Sequence, residues 1–131
     1  MTLYKLDELQ TLARKMAKQT SVPYALGLEG DLGAGKTTFA QAFIKHFDPT
    51  ATVTSPTFPI AQYYDNGRIA HYDLYRLKSP DELLDLDIFE DLHTKICLIE
   101  WPGILNEVLD HPIPVMHISV EDEEKRRVRF D

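Results

Sequence analysis

Residues 30 to 37 read Gly30-Asp31-Leu32-Gly33-Ala34-Gly35-Lys36-Thr37, and this octet constrains the chain more than any other segment. Glycines at these positions let the backbone curl until successive N–H groups converge on one anion. The lysine supplies a mobile cation for β and γ phosphates, and the adjoining hydroxyl suits Mg²⁺. The flanks agree with that chemistry. Tyr24 to Glu29 is an apolar run of strand length, and Phe39, Phe43 and Phe47 recur at helical spacing beyond the loop. The order predicts a strand, a phosphate loop and a helix from Lys36 to about Phe47, whose N-terminal dipole faces the same anion. A nucleoside triphosphate with magnesium is the implied ligand.

With 131 residues the chain is expected to form one domain, residues 1–131, large enough for a true core. No stretch approaches the ~18 apolar residues of a membrane span, and the first residues do not read as a signal peptide. The cytoplasm is the expected compartment. A single cysteine, Cys97, sits in an apolar run, so it reads as a buried thiol and a disulfide framework is excluded. The net charge of −7 argues against broad nucleic-acid binding, which depends on neutralising phosphates. Lys125-Arg126-Arg127 is a local exception. It follows the acidic run 121–124, so it reads either as a self-compensating turn or as the source of a nucleotide contact.

The remaining elements follow from local signals. Asp7 to Lys18 has helical apolar spacing, with Asp7 and Gln10 placed as a capping box. Ala51-Thr52-Val53 reads as a short strand leading into Thr54-Ser55-Pro56-Thr57-Phe58-Pro59, whose prolines enforce a loop. Asp65-Asn66-Gly67 between the runs 60–64 and 68–74 predicts a hairpin with a type I′ turn on Asn-Gly. Ser79-Pro80-Asp81-Glu82 carries both a capping box and an N1 proline, predicting a helix to about Asp91 or Leu92. Buried strands are expected at 95–100 and 115–120, with a last one near 127–130. Together these predict an α/β, three-layer P-loop NTPase fold, with a largely parallel central sheet, helices on both faces and an antiparallel hairpin.

Such sheets bind ligands at the carboxyl ends of their strands. Two carboxylates stand there. Glu100 closes the run Ile96-Cys97-Leu98-Ile99, the Walker B layout with glutamate for aspartate, and Asp73 closes Ile69-Ala70-His71-Tyr72. Either can hold or position Mg²⁺, or orient the attacking water. Trp101 follows Glu100 and is placed to cover the site or meet a partner. His71 reads as structural, and the histidines show no zinc spacing. The guanine-reading Asn-Lys-x-Asp motif of GTPases is missing, and Arg14, Arg68 and Arg76 lie too far apart for a kinase lid. A regulated ATPase is favoured. A small P-loop kinase of a metabolite or nucleoside is the competing class.

Four blocks carry a family resemblance: the octet with Thr38, Thr54-Ser55-Pro56-Thr57-Phe58, His71-Tyr72-Asp73-Leu74-Tyr75-Arg76-Leu77, and Leu98-Ile99-Glu100-Trp101-Pro102. In this order and spacing the chain resembles the TsaE (YjeE) family of bacterial P-loop ATPases. The resemblance implies a weak ATPase supporting threonylcarbamoyladenosine (t6A) formation at adenosine 37 of tRNA. It further implies docking on the threonylcarbamoyl transferase subunit and its paralogous partner, TsaD and TsaB, with tRNA engaged indirectly. By that resemblance Gly33, Ala34, Gly35, Lys36, Thr37 and Thr38 hold ATP, and Thr37 and Glu100 hold Mg²⁺. Lys36, Asp73 and Glu100 serve catalysis. Trp101 and the segment Thr54, Ser55, Pro56, Thr57, Phe58 serve as switch or partner surface. Arg126 fits the family's C-terminal nucleotide-contacting arginine, with one extra residue nearby that leaves Lys125 as the other candidate. Glu8 matches an N-terminal segment near the base. No arginine finger is evident, Arg76 being the nearest, so turnover is expected to be slow without a partner.

Overall fold

In the computed structural model, which describes residues 2–31, 33–54 and 60–131, one seven-stranded sheet organises the molecule. The strands are β1 (Thr2–Lys5), β2 (Tyr24–Glu29), β3 (Ala61–Tyr64), β4 (Ile69–Asp73), β5 (Ile96–Glu100), β6 (Val115–Val120) and β7 (Lys125–Phe130). Their spatial order is β1-β7-β6-β2-β5-β4-β3. Pairings β6–β2, β2–β5 and β5–β4 are parallel, whereas β1–β7, β7–β6 and β4–β3 are antiparallel. The sheet is therefore mixed, which corrects the largely parallel sheet expected above. Consecutive strands can run parallel only across a long crossover connection, usually a helix. β7 returns from β6 by a four-residue turn and β3 enters β4 by a hairpin, so both flanks reverse direction.

The helices are α1 (Leu6–Lys18), α2 (Lys36–Phe47), α3 (Ile88–Thr94) and α4 (Gly103–Asn106), with a 3₁₀ turn over Pro80–Asp85. They cover both faces of the sheet. Leu9, Ala13, Phe39 and Phe43 of α1 and α2 pack on Leu26, Leu28, Leu98 and Met116. On the other face Leu83, Ile88 and Leu105 pack on Ala70, Tyr72, Cys97 and Ile99. Alternate residues of β5 thus enter opposite cores, as period-two side chains must.

Where expectation and structure part, local chemistry gives the reason. α1 starts one residue early: Lys5 is its N-cap, and the Glu8 carboxylate accepts from the Lys5 N–H at 2.9 Å, in place of the Asp7–Gln10 box. β1 carries too little pattern to read, because its partner β7 lies at the other end of the chain. Residues 51–53 form no strand. Buried Val53 instead gives its carbonyl to Gln41 Nε2 at 2.9 Å. The hairpin forms with the expected turn, Asn66 (φ 57°) and Gly67 (φ 83°) both left-handed and the Arg68 N–H donating to the Asp65 carbonyl at 3.2 Å; Asp65 (φ 53°) is left-handed too, and the Gly67 N–H donating to the Tyr64 carbonyl at 3.1 Å closes a second, overlapping turn. Ser79 and Glu82 make the expected capping box, yet the helix breaks at extended Leu86 before α3 begins. Leu83 and Ile88 would sit about 140° apart on one continuous helix, and the break lets both reach the same core.

Candidate functional site

β2 ends at Glu29, and the chain then turns through the glycine loop into α2, which begins at Lys36 as expected. Gly35 is the N-cap of α2, with φ +122°, a conformation that a side-chain-bearing residue resists. A Cβ there would also lie 2.8 Å from Leu9 Cδ2. The first amides of α2 thus open into the cleft with their positive dipole end leading. The Lys36 ammonium donates to the Gly30 carbonyl and lies 4.3 Å from the centre of the Trp101 ring. Behind the loop, Arg126 Nη2 donates to the Gly33 carbonyl at 3.3 Å, while Nη1 donates to the Asp122 and Lys125 carbonyls. This nearly buried guanidinium ties the loop to β7.

The two carboxylates meet across the sheet. Asp73 and Glu100 are register partners in the parallel pair β4–β5, each the last residue of its strand. Glu100 is buried, and its Oε2 lies 2.8 Å from Nε2 of fully buried His71. Asp73 is half-buried and accepts the Tyr75 N–H at 3.0 Å. Burial pushes the Asp73 carboxyl above its ordinary pKa; the Tyr75 N–H opposes this, nearby Glu100 adds to it, and Lys36 opposes it.

Trp101 forms the rim. Its φ of +58° is a left-handed conformation costing a non-glycine residue about 1–3 kcal/mol. The Trp101 N–H is held by the Leu28 carbonyl at 2.9 Å, and the ring lies 5.2 Å from that of exposed Tyr75. A cleft of about 620 Å³ results.

The structure brings Gly33, Gly35, Lys36, Thr37, Thr38, Asp73, Glu100 and Trp101 to the walls of this one cleft. Ala34 is buried behind the loop, where its N–H donates to the Asp31 carbonyl. Arg126 braces the loop from outside the cleft, and Lys125 is exposed opposite Lys5 on β1. Glu8 is exposed and engaged in capping; Leu6, two residues earlier, lines the cleft instead. Thr54 is exposed, and Ser55, Pro56, Thr57 and Phe58 lie outside the described residues. Asp31, Tyr75 and Arg76 also line the cleft. Asp31 and Tyr75 carry no separate signal in the sequence beyond their places in the octet and two residues after Asp73, whereas Arg76 is the arginine nearest the site. His71, read as structural, proves to be bonded to a cleft carboxylate.

The donor chemistry fits a hydrated hard cation beside an anion. Thr37 and Glu100 offer oxygen ligands, and the amides of the loop and of α2 offer the anion cradle. Among the described residues no three His, Cys, Asp or Glu side chains form a metal cage of their own. Nor is any described helix long and apolar enough to cross a membrane.

Comparison with known proteins agrees with this geometry. The family model described as "Threonylcarbamoyl adenosine biosynthesis protein TsaE" matches residues 3–129. The tRNA threonylcarbamoyladenosine biosynthesis protein TsaE of Rickettsia felis is 42% identical over 123 residues, covering 92% of this chain and 72% of that protein. The protein of the same name from Bacillus subtilis is 35% identical over 127 residues, covering 95% and 79%. The crystal structure of YdiB from Bacillus subtilis superposes with a TM-score of 0.75 at 28% identity, covering 98% of this chain and 83% of that one. A match running from within β1 into β7 takes in every element that builds the cleft, and the chain belongs to the TsaE family.

Proposed function

We propose that this chain is a magnesium-dependent ATPase that supports t6A formation on tRNA. It would act by docking on the threonylcarbamoyl transferase complex, TsaD with TsaB, and resetting or activating it. One observation carries the reading: Lys36 and Thr37 of the loop share a single cleft with the paired strand-end carboxylates Asp73 and Glu100. The family membership and the printed names of the relatives support the pathway.

The residues divide the work by position. Gly33, Gly35 and the α2 amides receive phosphate oxygens, and Lys36 swings from the Gly30 carbonyl toward the β and γ phosphates. Thr37 and Glu100 would hold the cation, which supplies charge neutralisation for the transferring phosphoryl group. Asp73, held partly desolvated, orients water or the cation's shell. Trp101 and Tyr75 close the rim and present an aromatic surface beside the Lys36 ammonium. Among the described arginines, Arg76 at the rim is the one placed to approach a γ-phosphate, and it is solvent-exposed. Slow intrinsic turnover follows, with a partner expected to complete the site.

The test is reconstitution. Purified chain, TsaD and TsaB, tRNA and the threonylcarbamoyl donor are combined with ATP or with a non-hydrolysable analogue. ATP should sustain repeated t6A formation and the analogue should not. Equal yields with both would overturn the reading. ATP-dependent phosphorylation of a small metabolite or nucleoside would replace it with the kinase class.

A further inference from the structure

The contact between His71 and Glu100 does something that packing alone does not explain. His71 is in the middle of β4, fully buried, with Leu98 as its register partner and Glu100 two residues farther along β5. Period-two alternation puts His71 and Asp73 on one face of β4, and Leu98 and Glu100 on the same face of β5, the face covered by α1 and α2. His71 therefore lies directly below the carboxylate pair. A Glu100 carboxylate oxygen accepts, so His71 Nε2 carries the hydrogen of their 2.8 Å bond. The other ring nitrogen, Nδ1, is buried and finds no hydrogen-bond partner among the described residues. An imidazole in a dry core with one nitrogen unsatisfied is a poor filler; an aliphatic side chain would pack there without that cost. What the imidazole supplies, and leucine cannot, is the bond to Glu100.

We propose that His71 is a positioning residue for the cation site, orienting the Glu100 carboxylate that lines the cleft. It touches neither nucleotide nor cation and acts through Glu100 alone. The proposal rests on the Mg²⁺–triphosphate reading of the cleft. Polar partners of ligating carboxylates set the orientation of the ligand, and their loss typically weakens metal binding by about 10–100-fold.

Binding of a fluorescent ATP analogue (mant-ATP) to the full chain, titrated with Mg²⁺ and repeated in EDTA, tests this without reference to turnover. His71→Leu should bind the analogue in EDTA as the wild type does, yet need roughly 10–100-fold more Mg²⁺ for the magnesium-dependent gain. His71→Gln places an amide N–H near the position of Nε2 and should recover most of the wild-type Mg²⁺ response, whereas the shorter His71→Asn should not. In a Glu100→Gln background, adding His71→Leu should change nothing further. A folded His71→Leu chain with wild-type Mg²⁺ response would overturn the proposal, as would losses that add to those of Glu100→Gln. If His71→Leu does not fold, the Gln and Asn variants decide: equal Mg²⁺ responses overturn it. A wild-type chain whose nucleotide binding ignores Mg²⁺ would overturn the cation reading of the cleft and this inference with it.

Discussion

Asp73 and Glu100 end adjacent parallel strands as register partners, so two carboxylates stand side by side at the carboxyl edge of the sheet. Such an arrangement is unfavourable for folding alone, since like charges crowd together while losing water. Lys36, across the cleft, offsets part of this at Asp73.

The cost should be visible in the stability of Asp73→Asn. Burial raises the Asp73 pKa above its unfolded value, so the folded state holds that proton more tightly. This contribution to stability is fully present below pH ~3.9 and is lost as pH rises through the higher folded value. At pH 7 the neutral variant should therefore melt above the wild type, and near pH 4 the gap should narrow. ATP hydrolysis should fall at the same time. Thermal unfolding at both pH values decides, and a variant less stable at pH 7 refutes the sign.

Lys36→Ala should leave the fold intact and weaken ATP binding by more than about 100-fold. Two charge-assisted hydrogen bonds to phosphate, each worth about 1.5–3 kcal/mol, account for a loss of that size. Titration calorimetry measures it, and near-normal affinity would remove the loop from the binding site.

Arg126 braces the loop from β7 without lining the cleft, so its effect should be indirect. Arg126→Leu removes the donor to the Gly33 carbonyl and should weaken nucleotide binding about tenfold. The magnesium requirement should stay unchanged. A shift in that requirement would show that the arginine reaches the cation site.

Gly27 of β2 has no room for a methyl group: a Cβ there would fall 2.5 Å from Pro102 Cγ. Gly27→Ala should destabilise the fold by about 1–3 kcal/mol, the usual range for overpacking. It should also displace the neighbouring Trp101 and change its fluorescence. Denaturant unfolding followed at the tryptophan reads both effects at once.

Cys97 is buried, and burial pushes its thiol pKa up to about 12, with Asp91 adding to the rise. The native chain should label with iodoacetamide very slowly and the urea-unfolded chain orders of magnitude faster. Rapid native labelling would contradict the buried placement of β5.

Most signals contained within a few residues survived into the structure, although the Asp7–Gln10 capping box and the strand at 51–53 did not. The helix Lys36–Phe47 has its cap, its glycine turn and its aromatic period in one short segment, and it is found where expected. Strand β6 at Val115–Val120 and the strand ends at Asp73 and Glu100 were equally plain, because each is an apolar run with a polar stop. What stayed hidden depends on pairing between distant residues. The short edge strand β1 with its pairing to β7 and the aim of Arg126 at Gly33 both follow from contacts that local pattern does not encode. The bond from His71 to Glu100 spans 29 positions, so a histidine on an apolar strand read as core filler. The expected helix from Pro80 to Asp91 failed for a related reason: the core needed Leu83 and Ile88 on one side.

The clasp of Arg126 on Gly33 joins residues 93 positions apart. A growing chain that has reached Trp101 already contains the whole glycine loop, Asp73 and Glu100, but not the strand that braces the loop from behind. During synthesis, then, the anion cradle stays unclasped until the sheet receives one of its last strands. The loop is thus made early and braced late, so that on the proposed function nucleotide capture would wait for near-completion of the fold.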